Sequence, residues 1–384
     1  FMELNNKKIL FVVNVDWFFV SHRLPIALKA MDDGYDVHLA CLFTDKKCQL
    51  EELGISCHNV AFSRSGSSIK NELNAITSLR RIIKFNKVNV VHAITIKPVI
   101  YSGLALQTIK NSPAFVAAIS GLGYVFTAES FRAEMTKSLV SLMYKFAFRN
   151  KRKVVIFQNT SDQTILSNIV KLSDTDSALI KGSGADLSIY RYQEEPGGSK
   201  KIVSMACRLL KEKGTYEFIQ AAKIIKEKHS EIEFWLIGTV DLDNPNSVSQ
   251  KEIDTWVQNG IITALGHRDD IPDLFAQSHV ITMPSFYGEG VPKVLIEAAA
   301  CGRAIVTTDN PGCRDAIINE ETGLLVPIKD AKALADALLD LLLDKNKRVL
   351  MGLKAREYAV SEFDVINVVN KHLEIYESLL VNEK

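Results

Sequence analysis

At 384 residues, the chain is too long for one compact core and fits two domains. Its 47% hydrophobic and 24% charged residues are ordinary for a globular protein. Six cysteines (Cys41, Cys48, Cys57, Cys207, Cys301, Cys313) include no C-x-x-C and no histidine at metal spacing, which argues against a zinc site and for free thiols. The net charge of +1 conceals two unlike halves: residues 1–185 hold 23 Lys/Arg and 14 Asp/Glu (+9), and residues 186–384 hold 23 and 31 (−8). The excess is concentrated in residues 60–153, with 15 basic and 3 acidic side chains (+12). Such a surface suits nucleic acid or an anionic membrane. No motif of the nucleic-acid modules occurs, so nucleic acid is not expected as a partner.

In chain order, Ile9–Val13 reads as the first strand, and Ser21 as the N-cap of a helix running to about Asp33. His22 and Arg23 then fall at the positive end of that helix, where a phosphate is one suitable partner. Asp16 stands ahead of them as a possible base. Trp17, Phe18 and Phe19 suit either a core or a lipid. Further strands are expected at Asp36–Leu42, Asn89–His92, Ala114–Ile119, Val154–Gln158 and Ala178–Lys181. His92 ends one of them, a position open to a structural or a ligand-facing role, and Lys97 follows within reach of a phosphate. The glycines of Ser120-Gly121-Leu122-Gly123 let backbone approach a ligand closely. The longest uncharged run, Asn111–Ala128, contains Pro113 and these glycines, so it reads as strand plus loop rather than a membrane span. From Met135 to Arg149 the apolar set Met135, Leu139, Leu142, Met143 and Phe146 keeps helical spacing, with Lys137, Lys145 and Arg149 on another face. That pattern fits an interfacial helix or a buried helix with a basic rim. No secretory leader is expected.

The second half repeats the alternation of apolar strands and amphipathic helices, with strands at Ile202–Ala206, Phe234–Ile237, Ile262–Leu265, Val280–Met283, Ala304–Thr307 and Leu324–Val326. Continuous apolar strands between helices mean parallel sheets covered on both faces, so two doubly wound α/β units are expected. Tyr192–Lys200 (YQEEPGGSK) reads as the linker. After the first of these strands comes Arg208-Leu-Leu-Lys-Glu-Lys213-Gly214: a planar fork and a mobile point charge, both suited to phosphate oxygens. After the fourth comes Pro284-Ser-Phe-Tyr-Gly-Glu289-Gly290-Val291-Pro292, a turn into a helix expected to start near Pro292 and close at Gly302. Amide groups at Gly290 and Val291 would face a phosphate from that helix end. Glu289 and Glu297 would repel the phosphate but accept from hydroxyl groups on each side of it. Ribose, diphosphate and hexose have that layout.

The Glu289–Glu297 spacing is that of the E-x7-E motif, and Arg208–Gly214 is similar to R-L-x-x-x-K-G. On both, the chain resembles glycosyltransferase family 4, retaining enzymes of the GT-B fold in which two Rossmann-like domains face a cleft. The family often has a second glycine after E-G; Val291–Pro292 stand here instead, which resembles the subgroup that assembles capsule, O-antigen and lipid-linked glycans. The resemblance implies that Arg208 and Lys213 stabilise the leaving diphosphate and that Gly290 and Val291 cradle it. Glu289 would hold the donor sugar and Glu297 the ribose, with Gly184 of the G-S-G turn, His267 and Arg268 completing the donor site. Asp16, His22, Arg23, His92, Lys97, Gly121 and Gly123 would serve the acceptor. Domains are expected at 1–190 and 191–360, with 361–384 a helix crossing back to the first.

The function implied is transfer of a hexose or N-acetylhexosamine from a nucleotide-sugar, UDP-linked by preference, to a polyprenyl-diphosphate-linked saccharide. No metal or other cofactor is expected, since Arg, Lys and helix-end amides supply the positive charge. The protein is expected to be cytoplasmic and peripheral, with residues 60–153 on the anionic inner membrane face. A nucleotide-sugar epimerase of the same fold, and a non-catalytic binding protein, are the alternatives.

Overall fold

The computed structural model describes residues 7–62, 69–122, 126, 131–242 and 244–381. They divide into two units, residues 1–183 with 366–384, and residues 184–365. Unit 1 is built on seven strands: β1 (Lys8–Val15), β2 (Asp36–Leu42), β3 (Ser56–Asn59), β4 (Val90–Ile94), β5 (Ala114–Ile119), β6 (Lys153–Phe157) and β7 (Ser177–Leu179). Their order across the sheet is β3-β2-β1-β4-β5-β6-β7, with every pair parallel. Unit 2 has six: β8 (Lys201–Ala206), β9 (Ile232–Ile237), β10 (Thr263–Gly266), β11 (Val280–Met283), β12 (Ala304–Thr308) and β13 (Gly323–Val326). These run β10-β9-β8-β11-β12-β13, again all parallel. The architecture is the expected α/β pair of Rossmann-like doubly wound sheets.

Central strands are buried on both faces because helices cover both. Ile9 through Val13 have no exposed surface, and Ala114 through Ile119 are at most 2% exposed. β3 escaped the sequence reading because Ser-Cys-His-Asn has no apolar run, and it needs none: it is a four-residue edge strand. In each sheet the strand order reverses once, between β1 and β4 and between β8 and β11. Parallel sheets of this kind bind ligands outside the carboxyl ends of the strands at such a reversal.

Several boundaries differ from expectation. The first helix is two: Asp16–His22, then Leu24–Asp32. Ser21 therefore lies inside a helix, and Arg23 is the N-cap of the second, with Pro25 in its first turn. The expected domain limit at 190 falls at 183, since Ala185 N–H donates to Phe363 O and Val365 N–H to Ala185 O, tying residues 184 onward to unit 2. Tyr192–Lys200 is no loose linker: Arg303 Nη1 bonds Gln193 O at 2.8 Å, and the buried Arg348 grips Glu195 with two bonds of 2.8 and 2.7 Å. The closing helix is also two, Lys345–Glu362 and Val365–Val381, broken at Phe363-Asp364. Phe363 belongs to the core of unit 2 and Tyr376 to unit 1, so the expected single helix 361–384 serves both units in turn.

Candidate active site

The best-formed candidate site lies at the reversal in unit 2, where the loops after β8 and β11 meet. Past β8 the chain runs through Arg208 into a single 3-10 turn, Lys211–Lys213, and Gly214 in the left-handed region (φ 82°) starts the helix Thr215–Lys226. A Cβ on Gly214 would stand 2.2 Å from Pro284 O, so only glycine lets the two loops close. That contact presents Lys213 to Glu289. The two form a direct ion pair, with side chains 16% and 15% exposed. Burial alone would lower the Lys213 pKa, but the charge and hydrogen bond of Glu289 outweigh it and hold the amine above its usual range. Ser285 donates from the other side, its Oγ 2.7 Å from Glu289 Oε1.

The loop after β12 completes the frame. Asn310 Nδ2 donates to Tyr287 O at 2.6 Å and Thr308 Oγ1 to Ser285 O. Gly312 (φ 85°) lies so close that a Cβ would be 2.3 Å from both Glu289 O and Gly290 O. Glu297 lies farther down the helix Lys293–Ala300, buried, hydrogen-bonded by Tyr190, with Lys293 Nζ at 3.7 Å. Burial, its dominant influence, raises its pKa against the pull of Lys293 and Tyr190. The helix starts one residue later than expected: Pro292 is its N-cap, so Gly290 and Val291 precede the helix and its first amides are those of Lys293 and Val294. It closes at Gly302 (φ 72°), as expected.

Arg208 is half-exposed on the same rim, with Nη1 3.7 Å from Asp241 Oδ2. His267 and Arg268 follow β10 at the same sheet end. They are exposed and engaged by their own neighbours, His267 with Asp269 at 3.3 Å and Arg268 with Asp270 through two bonds. Gly184 (φ 76°) packs against the chain at Phe363–Val365. A Cβ there would stand 2.8 Å from Val365 Cα, so its glycine answers to packing against Phe363–Val365.

In unit 1 the expected acceptor residues do not assemble. Asp16 is fully buried and accepts from Thr44 N (2.8 Å), Thr44 Oγ1 (2.7 Å), Lys46 N (3.0 Å) and Trp17 N (2.8 Å), so it clamps the loop after β2. Its pKa is lowered: burial raises it, and these four bonds together prevail. Arg23 is 2% exposed, its guanidinium turned into the core, where burial pulls its pKa down to about 10 against a smaller opposing influence of Tyr376. His92 is fully buried, its Nδ1 2.6 Å from Tyr376 Oη and its ring 5.6 Å from that of His372, so it is a core residue that seats the last helix. Lys97 pairs with Glu72 at 3.1 Å. His22 stacks on Phe18, with ring centroids 4.4 Å apart. Gly121 (φ 104°) is at the end of β5, while Gly123 lies outside the described residues. Of the aromatic trio, Phe19 is core and Trp17 is 37% exposed.

The helix Phe131–Ala147 answers the question its periodicity posed. Tyr144 and Ala147 have no exposed surface and Val140 and Met143 pack with them, so that face meets the core. Met135, Leu139, Leu142 and Phe146 are 62%, 59%, 51% and 38% exposed. The helix Ile69–Asn86 leaves Ile69, Leu73 and Phe85 exposed as well. No helix among the described residues is long and apolar enough to cross a membrane. Nor does any group of three His, Cys, Asp or Glu side chains among them have a metal-holding arrangement.

Both units match families described from other proteins. Residues 8–159 match "Glycosyl transferase 4-like" and residues 200–344 "Glycosyl transferases group 1". The chain belongs to glycosyltransferase family 4. It is 29% identical over 385 residues to the N,N'-diacetylbacillosaminyl-diphospho-undecaprenol alpha-1,3-N-acetylgalactosaminyltransferase of Campylobacter jejuni, covering 95% of this glycosyltransferase and 99% of that protein. It is 22% identical to the UDP-Gal:alpha-D-GlcNAc-diphosphoundecaprenol alpha-1,3-galactosyltransferase of Escherichia coli, covering 92% and 91%. Among solved structures, Anabaena HepE in complex with UDP and glucose superposes with a TM-score of 0.77 at 18% identity, over 97% of this chain and all of that one. Sucrose-phosphate synthase of Thermosynechococcus elongatus gives 0.79 at 19%, over 98% and 100%. The fold is GT-B.

Ser285, Tyr190, Asn310 and Gly312 were not singled out from sequence. Ser285 stands four residues before Glu289 in the same motif, a spacing that would have justified the guess. Nothing local marks the other three, which act across 22 residues or more.

Proposed function

We propose that this glycosyltransferase moves a hexose or N-acetylhexosamine, with retention of configuration, from a UDP-sugar to a saccharide carried on polyprenyl diphosphate. The observation that carries the reading is the Lys213–Glu289 pair across the β8 and β11 loops, a cation for phosphate beside an acceptor for sugar hydroxyls. The relatives support the substrate class, since both are named for sugar transfer to undecaprenyl-diphosphate-linked acceptors and the chain spans nearly their full length. In the reaction the bond from the sugar's anomeric carbon to the diphosphate oxygen breaks. The acceptor hydroxyl forms the new bond on the same face, and its proton passes to the departing phosphate oxygen. Arg208 and Lys213 offset the charge that develops there. Glu289 holds the sugar, and Glu297 exchanges its Tyr190 bond for the ribose. No metal is required, because these cations supply the charge.

The reaction takes place at the cytoplasmic face of the membrane, on which the exposed apolar stripe of Phe131–Ala147 and the basic side chains around it rest. The test is a transfer assay with the purified protein, UDP- and GDP-sugars, a polyprenyl-diphosphate-sugar in detergent, and EDTA. Nucleoside diphosphate release that needs both substrates, persists in EDTA and disappears in Arg208→Ala is the expected result. Donor conversion without acceptor would instead indicate an epimerase, and release abolished by EDTA would refute metal independence.

A further inference from the structure

Ser285 follows Pro284 at the end of β11, and its side chain is fully buried. Its Oγ lies 2.7 Å from Glu289 Oε1 and 3.1 Å from Glu212 O, and Tyr287 N–H points at it from 3.4 Å. A hydroxyl has one proton to give, and the carboxylate is the stronger acceptor, so the proton goes to Glu289. Lys213 Nζ takes the other oxygen, Oε2. The two tethers differ in kind. Lys213 is a point charge on a flexible four-carbon stem, and a diphosphate, with more charge than one carboxylate, competes for it. Ser285 is fixed by its own backbone: its carbonyl accepts from Thr308 Oγ1, and the next amide, Phe286 N–H, donates to Glu212 O at 3.0 Å. A phosphate does not compete for this hydroxyl, which is buried beneath Glu289.

We propose that Lys213 exchanges Glu289 for the donor diphosphate, and that Ser285 is the positioning residue that keeps the Glu289 carboxylate aimed at the donor-sugar hydroxyls once Lys213 has left. The inference rests on the donor-sugar role of Glu289 proposed above. A carboxylate accepts at about four sites, so the Ser285 bond and a sugar's hydroxyls are held together without conflict. The site then reports its own filling. Until a diphosphate arrives, the sugar-binding group is occupied by the phosphate-binding one.

The experiment compares wild type, Ser285→Ala and Ser285→Thr by calorimetry, with UDP alone and with UDP-N-acetylgalactosamine as probes, alongside crystal structures of the three proteins with UDP bound. In Ser285→Ala the affinity gained from the sugar should fall about ten- to a hundredfold, the range of one hydrogen bond to a charged group. Affinity for UDP alone should stay within about twofold, and Ser285→Thr should restore the gain. Equal weakening for both probes would mean that Ser285 merely supports the loop, and an unchanged gain would overturn the proposal outright. If wild type binds neither probe, the donor reading itself fails. In the UDP complexes, where Lys213 has turned to the diphosphate, a Glu289 carboxylate that lies in Ser285→Ala where it lies in wild type refutes the positioning.

Discussion

Glycine at position 312 shows how the site's chemistry depends on residues that have none. Its left-handed backbone and the 2.3 Å approach to two carbonyl oxygens leave no room for a methyl group. Gly312→Ala is expected to cost about 2–4 kcal/mol, as overpacking plus left-handed strain, lowering the melting temperature of unit 2 by several degrees. Turnover should fall further than stability accounts for, since the loop that must shift carries Glu289. Calorimetry together with the transfer assay checks both. Legibility divides along the same line at this scale. That Lys213 and Glu289 meet was legible because each belongs to a motif that resembles the family's and follows one of two neighbouring central strands. Gly312 and Asn310 were not, because their role is a contact with residues about 22 positions away that only the folded sheet creates. In the other direction, Asp16, Arg23 and His92 looked like ligand groups because a polar residue at a strand end or a helix start looks the same whether it faces solvent or a neighbouring element.

Helix and strand identities were largely legible; the direction each helix faces was not. In Phe131–Ala147 the apolar spacing is compatible with either face being core, and only the neighbouring elements decide that Tyr144 turns inward and Leu139 outward. The last helix, Val365–Val381, is the clearer case, since it brings His372 and Tyr376 against His92, Arg23 and Tyr35 in the core of unit 1. Burial first, and then the nearby cations, hold His92 well below the ordinary 6.5 and His372 at about 3. A histidine with a depressed folded-state pKa binds its proton more readily in the unfolded chain. Its contribution is therefore complete above about pH 6.5 and is lost as pH falls below that, at about 1.4 kcal/mol per unit for each imidazole. Melting measured from pH 7.5 to 5.0 should show unit 1 losing stability over this window. In His372→Gln the slope should be smaller by one proton, and parallel curves for variant and wild type would show that His372 does not carry the effect.

Across the whole molecule, charge is partitioned as the domains are: +9 on residues 1–185 and −8 on 186–384. Composition alone made this visible, and the structure adds that apolar side chains within the +12 segment, Leu139 and Leu142 among them, stand open. Vesicles with a large anionic fraction should sediment the protein, neutral ones much less, and raising salt from 0.05 to 0.5 M should weaken binding as the screening length shrinks toward the few-ångström range. Leu139→Asp with Leu142→Asp should weaken it at any salt, because it removes the apolar contribution. Binding that ignores both lipid charge and these substitutions would refute the membrane face.

Ala185 and Asp364 form a β-bridge, so the two ends of unit 2 lie side by side. A segment whose termini meet is a self-contained loop of chain, complete in its own core before residues 366–381 exist. Unit 1 has no such independence, since Tyr376 and His372 fill its interior from the far end of the sequence. The usual N-terminal-first order is therefore expected to invert here. A chain ending at residue 365 should protect the amides of unit 2 from hydrogen exchange and leave those of unit 1 exchanging faster than in the full chain, and equal protection of unit 1 in both would refute it.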